Sequence, residues 1–407
     1  MLLHQVKLPH FKHSAESETV TLPLPDKVVI SMAQHLGAPC TPTVKVGDKV
    51  KIGDVIGSSE AAMSAPVHSS ISGTVTAITD VLHISGRNMQ SVVIENDGLE
   101  EVSDSVCPPT VENTEQFLQA VRNSGSIGLG GAGFPTSLKL GFDPKEKQPD
   151  FLIINGAECE PYITSDYRCF MEEGEDVLEG VLLMLKYLGI PKCIIGIEKN
   201  KPKAIEKMTR LCEKHDNITV KPLKSSYPQG AEKTLIFSTT GRVVKEGTLP
   251  LASGCIVVNS STVAFIAQYI RTGMPLVKRR ITVDGNIVKK PSNFIVPVGM
   301  SIGEIVYYAE LSDKPDRIIL GGPMMGACAF DPDYPLSKTN NAVLMFADSP
   351  VYEPSECIRC GKCVKACSMN LLPTELEHAF DMRDAGRLEK LKVNLCVNCG
   401  ACSFVCP

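Results

Sequence analysis

From Val28 to Val92 apolar residues recur at every second position in short runs, and Gly-Asp pairs cut the runs. The two clearest stretches are Val-Lys-Val-Gly-Asp-Lys-Val-Lys-Ile-Gly-Asp-Val-Ile-Gly over 44–57 and Ser-Ala-Pro-Val-His-Ser-Ser-Ile-Ser-Gly-Thr-Val-Thr-Ala-Ile over 64–78. Period two with frequent turns predicts a small all-β module. Residues 102–114 carry Ser, Asp, Pro and Glu without periodicity, as a linker does. Beyond it the period changes to that of helices, near Thr114 to Asn123, near Glu172 to Leu188 and near Pro202 to Lys214. Between them lie two continuously apolar runs, Phe151 to Asn155 and Cys193 to Glu198. Strands this apolar, joined by helices, predict a parallel sheet covered on both faces. Later, Arg280 to Val288 reads as a strand, an Asp284-Gly285-Asn286 turn and a second strand. Val296-Pro297-Val298-Gly299 and a helix from Ser301 follow, which together make a compact α+β module.

Composition narrows the class without changing this picture. A chain of 407 residues exceeds one ordinary core, so several domains are expected. Hydrophobic content of 43% and charged content of 21% belong to a folded protein. A formal charge of -5 supplies no basic stripe to neutralise phosphates, so nucleic acid is not expected as a partner. The most apolar stretch, 180–197, is interrupted by Lys186, Pro191 and Lys192 and is not expected to span a bilayer. The first residues, Met-Leu-Leu-His-Gln-Val-Lys, lack the basic, apolar and small-residue pattern of an export signal, so a cytoplasmic location is expected.

Sixteen cysteines change the picture more. Cys357, Cys360, Cys363 and Cys367 form C-x2-C-x2-C-x3-C, and Cys396, Cys399, Cys402 and Cys406 repeat that spacing. Three thiolates from one tight loop can grip three corners of a 4Fe-4S cube, and in two-cluster ferredoxins the fourth cysteine of each run ligates the other cube. On that pattern one cube uses Cys357, Cys360, Cys363 and Cys406, and the other Cys396, Cys399, Cys402 and Cys367. Gly361 and Gly400 stand where each loop must turn sharply. The alternative is a pair of zinc sites, which usually have C-x2-C halves instead of four-cysteine runs. Cys40, Cys107, Cys169, Cys193, Cys212, Cys255 and Cys328 are scattered and read as small buried apolar residues.

Gly128-Leu129-Gly130-Gly131-Ala132-Gly133-Phe134 holds a G-x-G-x-x-G, but a helical segment precedes it where a dinucleotide fingerprint needs a strand. Four glycines in six residues can still bring backbone N–H groups close to a flat, phosphorylated ligand; an ordinary loop is the alternative. Glu158 and Glu160 follow the strand that ends at Asn155, at the carboxyl edge where open α/β sheets bind ligands. By themselves two such carboxylates also fit a solvated turn.

The β-module resembles the biotinyl/lipoyl-type barrel-sandwich fold. Its hairpin reads Glu60-Ala61-Ala62-Met63-Ser64, without the lysine that a swinging arm needs. The segments 128–139 and Asn155-Gly156-Ala157-Glu158-Cys159-Glu160-Pro161 resemble the flavin- and NADH-binding loops of the NADH-oxidising subunit of complex I. Tyr227-Pro228-Gln229-Gly230-Ala231-Glu232-Lys233 and Asn259-Ser260-Ser261-Thr262 are similar to two further loops of that family. The order of modules resembles the C subunit of the Rnf complex over nearly the whole chain. The resemblance implies that Gly128, Gly130, Gly131, Gly133, Phe134 and Lys139 hold FMN, that Asn155, Asn259 and Thr262 help fix it, and that Glu158 and Glu160 border NAD(H). Tyr227 and Glu232 belong to the same site. Glu158, Glu160 and Lys139 are thereby the candidate catalytic residues.

It also implies a multidomain α/β protein: a barrel-sandwich domain over 1–105, a Rossmann-like FMN/NADH-binding domain over 106–274, a β-grasp (SLBB) domain over 275–345 and a ferredoxin-type domain with two 4Fe-4S clusters over 346–407. The β-grasp module is expected to dock the flavin domain to the clusters. The implied function is electron transfer between NAD(H), FMN and the two clusters to a partner, either other Rnf-type membrane subunits or a ferredoxin or flavodoxin. The protein would then sit on the cytoplasmic face of the membrane through its partners. The start Leu3-His4-Gln5-Val6-Lys7-Leu8-Pro9-His10-Phe11 lacks the Gly-Gly-Ile/Val-His-Pro of Rnf C subunits. A soluble paralogue feeding an amino-acid or other reductase, and a cluster-bearing scaffold without nucleotide binding, are the alternatives.

Overall fold

The computed structural model describes residues 4–145, 147–351, 353 and 355–407. Leu3, the first residue of the divergent start, lies outside them.

The β-module is a sandwich of two antiparallel sheets. One orders Lys27–Ser31, Asn88–Asn96, Gly73–Leu82 and Lys49–Val50; the other orders Thr41–Pro42, Val55–Ser58 and Val67–His68. The alternating apolar positions face inward, with Val28, Ile30, Met32, Ile56, Ile71, Val75, Val92 and Ile94 fully buried. Its 60–64 tip is gripped by Arg122, which donates from Nη2 to the Ser64 hydroxyl at 3.1 Å and to the Ser59 and Ala61 carbonyls at 3.4 Å. Where a swinging arm would move freely, this hairpin is docked.

The next domain is built on four parallel strands, ordered Ile218–Leu223, Lys192–Glu198, Phe151–Gly156 and Cys255–Asn259. One face is covered by the helices Thr114–Asn123, Ser165–Glu172, Gly174–Leu188, Pro202–Cys212 and Ser260–Thr272; the other carries Glu232–Thr240. The helix expected from Glu172 begins at Gly174, and a separate helix precedes it. A tertiary ion pair accounts for the break. Arg280 binds both Glu172 and Glu173, the latter at 2.5 Å, and Glu173 leaves helical geometry at φ −122° and ψ 29°.

The third module is a six-stranded mixed sheet, ordered Thr19–Thr21, Ser292–Pro297, Lys278–Asp284, Ala342–Phe346, Arg317–Leu320 and Ala327–Cys328. The expected hairpin at Asp284-Gly285-Asn286 is not a two-residue turn. Lys278–Asp284 pairs instead with Ser292–Pro297, Val283 opposite Ser292. Asn286 is held away by the Ala347 backbone, to whose carbonyl it donates at 2.8 Å and from whose N–H it accepts at 3.0 Å. The helix expected from Ser301 spans Ile302–Tyr307, with Ser301 and Glu304 forming a capping box. The edge strand Thr19–Thr21 comes from the chain's start, so residues 6–21 leave the barrel and cross the other modules.

The last module is a set of short helices, Lys362–Ala366, Pro373–Asp381, Ala385–Lys390 and Ala401–Phe404. No described helix is long and apolar enough to cross a membrane. Five of the scattered cysteines are buried as expected, but Cys107 and Cys328 are exposed. Cys107 lies in the irregular 97–113 connection and Cys328 on a two-residue edge strand, and neither segment has a core face.

Candidate functional site

The glycine loop joins the Thr114–Asn123 helix to the short Thr136–Leu140 helix. It closes on itself through Gly128 N–H to Phe134 carbonyl at 2.8 Å and Gly133 N–H to Gly128 carbonyl at 3.3 Å. Gly131 at φ 108° and Gly133 at φ 64° need glycine for their backbone. A Cβ on Gly131 would meet nothing within 4 Å, so its side faces open space. The amides of Gly130, Gly131 and Ala132 make no hydrogen bond among the described residues. Three other segments fix the loop. Leu129 N–H donates to the Thr262 hydroxyl at 3.0 Å, Arg279 donates to the Leu129 carbonyl at 2.9 Å, and Leu36 N–H donates to the Gly133 carbonyl at 2.9 Å.

Asn259 stands beneath Gly130, where a glycine Cβ would lie 3.3 Å from its amide nitrogen. Its oxygen caps the Ser260–Thr272 helix through the amides of Ser261 and Thr262, and its nitrogen donates to Asp166 at 2.7 Å. Asp166 opens the Ser165–Glu172 helix, and its backbone N–H donates at 2.8 Å to Glu158. A chain of hydrogen-bonded residues thus runs from the glycine loop through Thr262, Asn259 and Asp166 to Glu158.

Glu158 is buried against the N-terminus of that helix, where free amides favour a carboxylate. Burial pushes its carboxyl well up, and Lys12 opposes the shift; burial likewise pushes Lys12 down. Lys12 donates to the carbonyls of Glu158 at 3.1 Å, Glu160 at 2.7 Å and Ile163, so one ammonium group shapes the whole acidic loop. Burial pushes Glu160 up to about 7. One of its oxygens accepts from Met324 N–H at 3.0 Å, and the other, buried, has no partner among the described residues. Between them Cys159 is pushed by burial up to about 12, which keeps it a thiol.

Asn155 donates to the Gly230 carbonyl at 2.9 Å and accepts from Ala157 N–H at 3.1 Å, tying the acidic loop to the 227–233 loop. A Cβ on Gly230 would lie 2.6 Å from the Ala157 carbonyl, so only glycine allows this approach. Lys139 and Glu232 form an ion pair, at the end of one helix and the start of another. The Tyr227 side chain points elsewhere. It is buried, and its hydroxyl donates at 2.6 Å to the carbonyl of Cys399 in the cysteine-rich domain.

The two cysteine loops match each other locally. Gly361 at φ 71° and Gly400 at φ 70° start short helices, as the sharp turn requires. Arg359 and Asn398, which precede the second cysteine of each run, are also left-handed at φ 55°. Backbone N–H groups point at sulfur, from Arg359 to Cys357 at 3.4 Å and from Leu371 to Cys367 at 3.3 Å. Burial pushes the Cys399 thiol up, and the nearby Cys402 and Cys367 add to that. Cys367 of the first run thus lies near Cys399 of the second.

These features fit the groups they would hold. Open glycine amides suit a phosphorylated flavin, and buried Glu160 Oε1, Gln229 Nε2 and Ser260 Oγ have polar atoms without protein partners among the described residues. Left-handed turns with amides aimed at sulfur suit an iron–sulfur cube. Two surface hollows of about 520 and 380 Å3 lie elsewhere, beside Phe380 and Arg383 and beside Lys289 and Tyr307. The glycine and acidic loops form an open rim, on which Gly130, Gly131 and Ala132 are exposed.

Lys12, Asp166, Arg279 and Met324 complete the site, and none of them stood out in the sequence. Lys12 reaches acceptors 146 to 151 positions away. Arg279 alone left a trace, as part of three consecutive basic residues leading into an apolar strand.

Three family descriptions match the chain: "RnfC Barrel sandwich hybrid domain" over residues 3–99, "Nuo51 FMN-binding domain" over 121–268 and "4Fe-4S dicluster domain" over 356–407. The C subunit of the Na(+)-translocating ferredoxin:NAD(+) oxidoreductase complex of Acetobacterium woodii is 40% identical over 86% of this chain and 81% of its own length. The C subunit of the proton-translocating ferredoxin:NAD(+) oxidoreductase complex of Clostridium ljungdahlii is 40% identical over 90% and 81%. That of the ion-translocating oxidoreductase complex of Rhodobacter capsulatus is 35% identical over 93% and 75%. Among solved structures, a chain of an NAD+-reducing [NiFe]-hydrogenase in the H2-reduced state shares the fold, with TM-score 0.52 and 21% identity over 71% of this chain and 59% of that one.

Proposed function

The chain belongs to the family of C subunits of Rnf-type ferredoxin:NAD(+) oxidoreductase complexes, and from that premise we propose that it passes electrons between NAD(H) and a partner redox protein through bound FMN and two 4Fe-4S clusters. The observation that carries this reading is the Tyr227 hydroxyl on the Cys399 carbonyl at 2.6 Å. One residue joins the loop system of a nucleotide site to a cluster loop.

The flavin, when bound, supplies the conversion between the two-electron hydride chemistry of NADH and the one-electron chemistry of a cluster. The chain's own residues do the rest. Gly130 and Gly131, in the loop that Gly128, Gly133 and Phe134 close, present amides to the flavin, and Thr262 and Arg279 hold that loop open. Lys139, neutralised by Glu232 here, is positioned to exchange that partner for ligand phosphate. Glu158 and Glu160 line the nicotinamide side, braced by Lys12. Cys357, Cys360, Cys363 and Cys406 hold one cube, and Cys396, Cys399, Cys402 and Cys367 the other. The domain boundaries at 105, 274 and 345 belong to the same proposal, with residues 6–21 strapped across the other modules. Other subunits of an Rnf-type complex, or a ferredoxin or flavodoxin, are the partners. Through them the protein would sit peripherally on the cytoplasmic face of the membrane.

The test is direct. Holoprotein should show flavin absorbance that NADH bleaches and should reduce a dye with NADH. Lys139→Ala and Glu158→Gln should each slow NADH-linked dye reduction by about tenfold or more, the equivalent of one charged hydrogen bond. A protein with its clusters loaded, whose NADH-linked rate ignores both substitutions, would be a scaffold instead.

A further inference from the structure

The two cubes are not equivalent in their surroundings, and the difference sets a direction. Resting on the oxidoreductase reading above, we propose that the cube of Cys396, Cys399, Cys402 and Cys367 faces the flavin domain and exchanges electrons with it, with Tyr227 as its positioning residue. The cube of Cys357, Cys360, Cys363 and Cys406 faces outward, toward the partner.

Four observations converge on this order. First, the apolar seam between the two domains contains Leu8, Tyr227, Ala366 and Ala401, with Cys159, Met324 and Cys399 packed against it. Cys159 comes from the acidic loop and Cys399 from the second cluster run, so the seam brings these two loops into one packed unit. Second, Tyr227 is 1% exposed and rigidly placed. Its backbone exchanges two 2.8 Å hydrogen bonds with Val6 while its hydroxyl reaches the Cys399 carbonyl.

Third, Met324 touches both sides. Its N–H donates to Glu160, and its carbonyl would lie 2.8 Å from a Cβ on Gly400, so the β-grasp module closes the gap at the loop of the second run. Fourth, the ligands differ in exposure. Cys357, Cys360 and Cys406 of the outward set are exposed and Cys363 is half-buried, whereas Cys367, Cys399 and Cys402 of the inner set are half-buried and Cys396 alone is exposed. Ile358, inside the first run, is 73% exposed, which leaves that loop open to a second protein.

The step concerned moves one electron and no atom: reduced flavin is oxidised by one electron, and the facing cube is reduced. Electron transfer weakens exponentially with gap, so the packed seam selects the inner cube. Tyr227 acts on it in a second way. A phenol donating to the carbonyl of a ligand residue draws charge from that loop and favours the reduced cube, as hydrogen bonds around cluster sulfurs do.

The test uses holoprotein with FMN and both clusters, titrated with dithionite and followed by low-temperature EPR. An iron chelator is used to tell the cubes apart, because the exposed one should be stripped first. Tyr227→Phe keeps the ring and removes only the donor. The expected result is a shift to more negative potential in the cube that survives the chelator, with the labile cube unmoved. In Cys360→Ser the remaining cube should still be reduced when NADH is added. In Cys396→Ser the remaining cube should respond to dithionite but at least tenfold more slowly to NADH. If Tyr227→Phe moved the labile cube, both cubes or neither, the assignment would be overturned, whether or not the cysteine variants load iron. Parent holoprotein that NADH fails to bleach would instead defeat the oxidoreductase reading.

Discussion

Glu160 sits under opposing demands, with one oxygen held by Met324 N–H and the other buried without a partner among the described residues. Burial raises its pKa from an ordinary 4.5 to about 7. Between those values the folded chain binds the proton more tightly than the unfolded one does. Its contribution to stability is therefore complete below about pH 4.5 and is lost as pH rises through about 7, on the order of 3 kcal/mol in all. Glu160→Gln should flatten this dependence. Urea midpoints measured at pH 5 and pH 8 should differ less in the variant than in the parent, and an equal difference in both would refute the argument. The paired acids were visible in the sequence because they follow an apolar strand. Lys12, which shapes their loop, was not, because main-chain carbonyls leave no mark on residue type.

At the scale of elements, close packing between helices rests on Gly180. A Cβ there would lie 2.2 Å from the Val263 carbonyl, so the Gly174–Leu188 and Ser260–Thr272 helices meet backbone to backbone. Gly180→Ala should force them apart and cost about 1–3 kcal/mol, more than its gain in helix propensity returns. Because the second helix begins at Asn259 beneath Gly130, flavin content should fall along with the melting temperature. A variant with parental stability would show that the contact relaxes freely. Periodicity located the Thr114–Asn123 helix to the residue, since an Asn cap and a clean apolar stripe agree there. It missed the break at Glu173, where Arg280 from another module overrides local preference. It also misplaced the strand after Asp284, because Asn286 is recruited by Ala347, 61 positions away.

For the whole molecule, Lys338 is the point where three modules meet. It is 1% exposed, and its ammonium group donates to Pro66 of the barrel at 2.9 Å and to Gly125 of the flavin domain at 3.0 Å. Lys338→Met would keep the stem and leave two buried carbonyls unpaired, at a cost of roughly 2–5 kcal/mol. Calorimetry should then show separate barrel and flavin-domain transitions in the variant and one joint transition in the parent. One unsplit transition at the parental temperature would show that the modules are coupled elsewhere. Iron analysis checks the other end of the chain: about eight irons per protein are expected from two cubes, and zinc in their place would remove the electron path.

By itself the sequence determined the local chemistry: two four-cysteine runs, a glycine-rich loop, an acid pair after a strand and a β-module without its arm lysine. Each is a constraint on a few neighbouring residues, which spacing and residue type can express. The tertiary structure alone decided that residues 6–21 cross the other modules, that Lys12 and Arg279 brace the site, and that Tyr227 turns toward Cys399. Those outcomes depend on burying apolar surface and satisfying backbone groups between segments far apart in the chain. No window of sequence contains both partners, so only the folded chain brings them together.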